Sequence, residues 1–367
     1  MKRLTSIDAL RGFDMFFIVG GSGLLCALAR VLFGEGAVGF CEQMEHVKWE
    51  GLHLMDVIFP LFVFIAGLTF PFSYARQRER GDSNRKIHLK ILRRSLLLLL
   101  LGLLYNGFLK NDLHHPSGIR YFSVLGKIGV AWGIAAVIYA HSTVRGRFLA
   151  CLGGLLGYAA LLWVVAPDAP AGTSPWTLDG CFPGYLDRLF TPGHLYLQDK
   201  LEPSGPFVSL FGYPTALMGM LAGDLVRAEG RMATWKTAAL ALVGAGLVAL
   251  GWALSPFCPV IKMLWTPTYM LVCGGIGYLA FAFFHWIIDV RGWSRWCFPF
   301  TLIGMNAILI YMLGRIVDFM AIGRFFVGGL AGLCGGEIEN LILWTGAVAV
   351  RLVLLYGLYR LNVFFKV

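Results

Sequence analysis

Charge is what this sequence has least of. Only 14% of its 367 residues are Asp, Glu, Lys or Arg, where soluble domains carry about a quarter. Hydrophobic residues make up 57%, enough for about ten membrane spans at roughly 20 residues each. A soluble globule, a disordered chain and a disulfide-stapled secreted scaffold are thereby excluded. The eight cysteines contain no C-x-x-C pair and no metal-like spacing. No hydrophilic block is large enough for a separate soluble domain, and no internal repeat of the inverted-half kind is visible. No short apolar core precedes a small-residue cleavage site, so a removed signal peptide is not expected. The net charge of +10 has no soluble basic face to sit on, which argues against a nucleic-acid partner. What remains is an all-α polytopic membrane protein, read as a single transmembrane domain over residues 1–367.

Apolar runs of spanning length fall at about 12–33, 55–74, 91–109, 121–141, 148–166, 207–227, 235–254, 265–288, 298–320 and 340–361. Ten spans put both termini on one side. Arg76, Arg78, Arg80, Arg85, Lys86, Lys90, Arg93 and Arg94 crowd the loop 75–94. Loops of the same parity add Arg145 and Arg147, then Arg227, Arg231 and Lys236, then Arg291 and Arg295, with Lys2, Arg3, Arg360 and Lys366 at the ends. The other set has scattered Lys48, Lys110, Arg120, Arg188, Lys200, Lys262 and Arg324. The positive-inside bias predicts cytoplasmic termini, leaving loops 34–54 and 167–206 extracytoplasmic. Cys41, Cys181, Cys258 and Cys334 lie in or near outer loops, where a disulfide is possible, although isolated thiols are the expectation.

The densest polar cluster is His46-Val-Lys-Trp49-Glu50-Gly-Leu-His53-Leu-Met-Asp56. If helical, it places His46, Glu50 and His53 on one stripe. A carboxylate beside a histidine fixes its tautomer and raises its basicity, as a general base requires. Interfacial His and Trp anchoring a helix end serve the pattern equally well. Glu50-x-x-His53 occurs once, whereas a di-iron bundle needs two such pairs and further glutamates, so no metal is expected. Among ionisable residues in apolar runs, Asp8–Arg11 and Arg315–Asp318 read as local ion pairs. Asp14 lies just deeper than Arg11. Lys127 has no local carboxylate, which calls for a distant partner or an anionic ligand. Asp187, Arg188, His194 and Glu202 with neighbouring aromatics suit either a sugar-binding surface or an ordinary solvated loop.

Ser6-Ile-Asp8-x-x-Arg11-Gly12, followed by His46-x-x-Trp49-x-Gly51-Leu52-x-x-x-Asp56-x-x-Phe59-Pro60-x-Phe62-x-Phe64-x-x-Gly67, resembles the heparan-α-glucosaminide N-acetyltransferase family. Gly184-Tyr185-Leu186-Asp187-Arg188 with His194-Leu195-Tyr196, Leu264-Trp265-x-Pro267-x-Tyr269, and Asp289-Val-Arg291-Gly292-Trp293 through Asn306 to Tyr311 continue the likeness along the chain. The resemblance implies transfer of acetyl from cytosolic acetyl-CoA, as co-substrate, to an extracytoplasmic amino sugar or other glycan. It implies His46 as catalytic base or acetyl carrier, and a bacterial inner-membrane location. Glu50 or Asp56 would orient His46, and Asn306 would polarise the thioester carbonyl. Trp49 would stack on sugar or pantetheine, and Lys127 with Arg11 would attract the CoA phosphates. Membrane lipid and the acceptor are the expected partners, with a homodimer as the family pattern. Three departures stand out: Gly20 replaces a family Asn, Gly126-Lys127 replaces Gln-Arg, and Glu202-Pro203-Ser204-Gly205 replaces Asp-Pro-Glu-Gly. The alternative class is a sugar permease without acyl transfer, whose mark would be helices broken in corresponding halves.

Overall fold

The computed structural model describes residues 4–107 and 118–365. Lys2, Arg3, Lys110 and Lys366, counted above for orientation, lie outside the described residues, as does the end of the 91–109 run. In chain order the helices are α1 (Thr5–Phe16), α2 (Ser22–Phe33), α3 (Val38–Gln43), α4 (Leu54–Glu79), α5 (Asn84–Tyr105), α6 (Val124–His141), α7 (Val144–Leu162), α8 (Phe182–Phe190), α9 (Pro206–Leu210), α10 (Tyr213–Arg227), α11 (Ala233–Ala253), α12 (Pro267–Phe284), α13 (Phe298–Met305), α14 (Ala307–Ile316), α15 (Phe319–Cys334) and α16 (Gly336–Arg360). Extended pairing among the described residues is confined to isolated bridges.

Among the described residues, seven helices are long and apolar enough to cross a membrane: Thr5–Gln43, Leu54–Glu79, Val124–His141, Val144–Leu162, Ala233–Ala253, Pro267–Val290 and Gly336–Arg360. An eighth arises if α13 and α14, bent by 64°, count as one span. Two sequence-derived runs are therefore shorter or more polar than ten spans require. Helix α5 carries Arg85, Lys86, Lys90, Arg93 and Arg94 in its first half, and α10 has 15 residues. The single run 298–320 is broken at Asn306, and α15 occupies a stretch expected to be loop. Its glycines and Arg324 dilute an otherwise apolar sequence.

Side-chain caps start several helices, because the first four N–H groups of a helix have no partner of their own. Ser83, Ser123, Thr143 and Asp318 accept from backbone N–H groups at the starts of α5, α6, α7 and α15. Asp318 thus caps α15 by accepting from Met320 and Ala321 N, in place of the expected pairing with Arg315. The Asp8–Arg11 pair is present at 3.3 Å.

The chain forms two compact units, Met1–Lys48 with Leu52–Ile58 and Ala280–Val367, and Trp49–Gly51 with Phe59–Leu279. In the first, α1 lies so close to α13 that a side chain on Gly12 would strike the Phe300 carbonyl. Small residues allow such backbone approach where lipid removes the hydrophobic drive between helices. Phe13 fills the remaining gap against Phe17, Phe284 and Phe300. A π-helical turn, Phe17–Gly21, separates α1 from α2, with Gly20 at φ 107°, where a residue bearing a Cβ is strained. A Cys26–Cys41 disulfide ties α2 to α3. Cys41 is therefore not an isolated thiol, and its partner lies inside the first apolar run rather than in another loop.

In the second unit α5 and α6 pack along each other. Ser95 Oγ donates to Gly129 O at 2.9 Å, and Gly102 faces the Ser123 side chain. Helix α10 meets α4 through Gly67 and Gly219, and Tyr278 OH donates to Met218 O at 2.9 Å. Tyr158 OH donates to Leu264 O at 2.7 Å, fixing the loop before α12.

Candidate active site

His46 lies in a non-helical turn between α3 and α4, so the stripe expected for His46, Glu50 and His53 does not form. Gly51 takes φ 115°, and Glu50 pairs as an isolated bridge with Ile261, which holds this stretch extended. The carboxylate on His46 is Asp56. His46 Nδ1 and Asp56 Oδ1 are 2.9 Å apart, with the His46 side chain 53% exposed and that of Asp56 fully buried. Asp56 Oδ2 also accepts from Val47 N at 3.2 Å and His53 N at 3.0 Å. Asp56 stands in the first turn of α4, where the helix dipole favours a negative charge.

These contacts fix the chemistry available to His46. An ionised carboxylate only accepts, so the Nδ1 facing it is the ring nitrogen that carries a proton. That is the arrangement of a histidine base oriented by a buried aspartate. The turn is braced further: Leu54 N donates to Gln43 Oε1 at 3.3 Å, and His53 Nδ1 is 3.1 Å from Glu45 O. The Cys26–Cys41 bridge fixes the start of the same turn.

Other predicted site residues are placed differently. Asn306, 1% exposed, donates through Nδ2 to Val363 O at 3.1 Å and accepts through Oδ1 from Phe365 N at 2.8 Å. Its amide ties the C-terminal segment to the α13–α14 bend. Trp49 Nε1 donates to Trp176 O at 2.6 Å, joining its ring to the 167–206 loop. Arg11 pairs with Asp8 near the start of α1. Ser6 of the same helix donates to Asp289, beside Arg291 and Arg295.

Lys127 is 1% exposed. Its Nζ donates to Pro203 O at 2.9 Å and sits 3.6 Å from the Trp265 ring centroid and 5.5 Å from that of Phe59. The arginine-bearing end of α6 is elsewhere, where Arg147 meets Tyr139 and Asp224. Fourteen residues at 1.5 Å each separate Lys127 from His141, about 20 Å. Lys127 therefore lies at the Ser123 end of α6, away from Arg147.

The 167–206 loop is built on a buried carboxylate pair. Arg120 Nε and Nη2 reach both Glu202 oxygens at 2.7 Å, a bidentate geometry that adds specificity as well as strength. Asp187 Oδ2 accepts from Glu202 N at 2.9 Å, and Asp187 Oδ1 accepts from Thr191 Oγ1 at 3.3 Å. Burial, opposed by the Glu202 N–H and reinforced by the Glu202 charge, pushes Asp187 up to about 7. Arg188 grips Asp168 and the Lys200 carbonyl. His194 faces Asp199 at 2.6 Å near the surface, beside a half-exposed Tyr196 on which Arg120 stacks. Of the four predicted sugar-binding residues, Asp187 and Glu202 are interior struts and His194 is accessible. Nothing in sequence spacing marked Arg120 as their partner.

The arrangement defines a polytopic helical membrane protein with a carboxylate-oriented histidine. No family model matches the chain. Over 421 aligned residues covering all of this chain, it is 25% identical to human heparan-α-glucosaminide N-acetyltransferase, and over 420 residues it is 23% identical to the mouse protein of the same name. The chain spans 60% and 61% of the length of these curated relatives. Likeness along the whole chain supports a family-level relationship to the heparan-α-glucosaminide N-acetyltransferases.

Proposed function

We propose that this protein is a transmembrane acetyltransferase with His46 as its base. The observation that carries the reading is the His46–Asp56 pair, in a chain related along its full length to two N-acetyltransferases. The co-substrate is acetyl-CoA and the acceptor an extracytoplasmic amino sugar or other glycan. Residues 1–367 act as one acyltransferase domain in a bacterial cytoplasmic membrane, with both termini inside. Basic loops support that orientation. The Cys26–Cys41 bridge supports it independently, because disulfides persist outside the reducing cytosol.

In direct transfer, His46 Nε2 takes a proton from the acceptor amine or hydroxyl as that atom attacks the thioester carbon. The new C–N or C–O bond forms, the C–S bond breaks, and CoA leaves as thiolate, which takes up a proton. Asp56 holds the imidazole and offsets its positive charge. Arg11, with Arg291 and Arg295 near the same end of α1, attracts the CoA phosphates. Asp187, Arg188 and Glu202 position the outer loop that carries His194 and Tyr196. Trp49 anchors that loop, and Glu50 braces the His46 turn through its backbone.

Purified protein supplied with acetyl-CoA and glucosamine should form N-acetylglucosamine and free CoA. His46→Ala should lower kcat by about 10²–10⁴-fold, the usual contribution of a general base, while acetyl-CoA still binds. Unchanged turnover in His46→Ala would remove His46 from the chemistry. The permease reading finds its broken helices only in part. The π-helical turn and the Asn306 bend both belong to the first compact unit, not to corresponding halves of a repeat.

A further inference from the structure

We propose that the exposed side of α5, where Arg85 and Arg93 accompany a stripe of leucines, binds the headgroup phosphate and acyl chains of an anionic phospholipid. The proposal stands apart from the acetyl-transfer reading and concerns the second compact unit alone.

Leu89, Leu92, Leu96 and Leu100 are each more than half exposed, and Arg85 and Arg93 are exposed with them. At 3.6 residues per turn these positions share about 100° of the helix surface. Lipid tails are as apolar as leucine, so acyl chains cover such a stripe at no cost. Arg85 and Arg93 are separated by eight residues at 1.5 Å each, about 12 Å along the axis. Side chains on a helix tilt toward its N-terminus, so Arg93 reaches back along the leucines toward Arg85. Its stem stays on apolar surface while its guanidinium reaches the polar end.

The charge of these arginines is not spent inside the protein. Lys86 and Lys90 both hold Asp82, at 2.6 Å each, whereas Arg85 and Arg93 join no ion pair among the described residues. Neighbouring contacts show that the start of α5 lies at the cationic end of the unit. His88 Nε2 is 2.8 Å from His141 Nε2, which joins the start of α5 to the end of α6. Arg147, near the start of α7, reaches Tyr139 O on α6 at 3.2 Å and Asp224 Oδ2 on α10 at 2.6 Å. Lys236 Nζ donates to Val226 O at 2.8 Å, bringing the start of α11 to the same place. Exposed Arg145 opens α7, and Arg231 stacks on Trp235 at 4.9 Å where α11 begins. An exposed tryptophan at a helix end marks the headgroup level of a bilayer.

The occupant follows from this chemistry. Two guanidiniums without carboxylates call for an anion, and the planar fork of arginine matches phosphate. The leucines between and beyond them call for hydrocarbon carried by the same molecule. A free phosphate or nucleotide meets the first need and leaves the second unmet. A zwitterionic phospholipid meets the second, but its own ammonium offsets the attraction. Each cation near an anionic leaflet strengthens binding by about fivefold, so an anionic phospholipid meets both needs.

Bimane on Leu100→Cys, in a Cys334→Ser background that removes the exposed free thiol, reports through quenching by brominated acyl chains which lipid covers α5. In vesicles, brominated phosphatidylglycerol should be preferred over brominated phosphatidylcholine at this position by about fivefold or more. Arg85→Gln combined with Arg93→Gln should abolish the preference, and Arg85→Lys combined with Arg93→Lys should keep it. Lys86→Gln leaves Lys90 on Asp82 and should change nothing. Excess inorganic phosphate should displace the lipid no more than chloride of equal ionic strength does. A protein with both arginines but no preference, or an undiminished preference in the glutamine pair, would overturn the site. Loss of the preference to phosphate but not to chloride would overturn the lipid as its occupant and leave a free-anion site.

Discussion

Asp56 carries more of the proposed site than any other side chain. It is fully buried, in the first turn of α4, and it holds His46 Nδ1 and two backbone N–H groups at once. Asp56→Asn preserves the shape but removes the charge, and its amide can present a donor where His46 needs an acceptor. Hydrogen bonds to charged groups contribute about 1.5–3 kcal/mol, so kcat should fall by at least tenfold while the KM for acetyl-CoA barely moves. Steady-state kinetics on the purified variant would check this, and a rise in KM alone would contradict the orienting role. His46 and Asp56 were both legible in the sequence because few residue types do this chemistry and both lie in one short polar stretch. The choice of Asp56 over Glu50 as the partner of His46 was not. Helical periodicity favoured Glu50, and only the turn at Gly51 and the bridge to Ile261 show why that carboxylate points its backbone elsewhere.

At the scale of elements, the 167–206 loop is held by a carboxyl group that is costly to ionise. Asp187 is raised to about 7 from an unfolded value of about 3.9. Its protonated form therefore favours the folded loop, fully below about pH 4. That contribution fades as pH rises toward 7 and is lost above it. Limited proteolysis should find the loop more resistant at pH 5 than at pH 8, and Asp187→Asn should flatten the difference. Equal cleavage of the wild-type loop at both pH values would contradict this account. The loop's existence was plain from its Pro, Gly and polar content, whereas the division of Asp187, Glu202 and His194 into struts and surface was not. Burial depends on Arg120, some eighty positions away. Element boundaries failed where composition was mixed. The Asn306 break hides in an apolar run, and α15 hides behind glycines that make a helix of 16 residues read as loop.

At the scale of the whole molecule, hydropathy was enough to establish an all-helical membrane protein, and charge asymmetry supplies the orientation proposed for it. The Cys26–Cys41 disulfide tests that orientation. In intact cells, a membrane-impermeant reductant followed by an impermeant maleimide should label both residues, and labelling that requires permeabilised cells would invert the topology. The transfer itself is tested most directly in sealed proteoliposomes with acetyl-CoA inside and glucosamine only outside. Acetylated sugar should appear outside as CoA accumulates inside, and His46→Ala vesicles should form neither. If wild-type vesicles yield no acetylated sugar yet take up glucosamine without acetyl-CoA, the protein is a permease and the central claim is wrong.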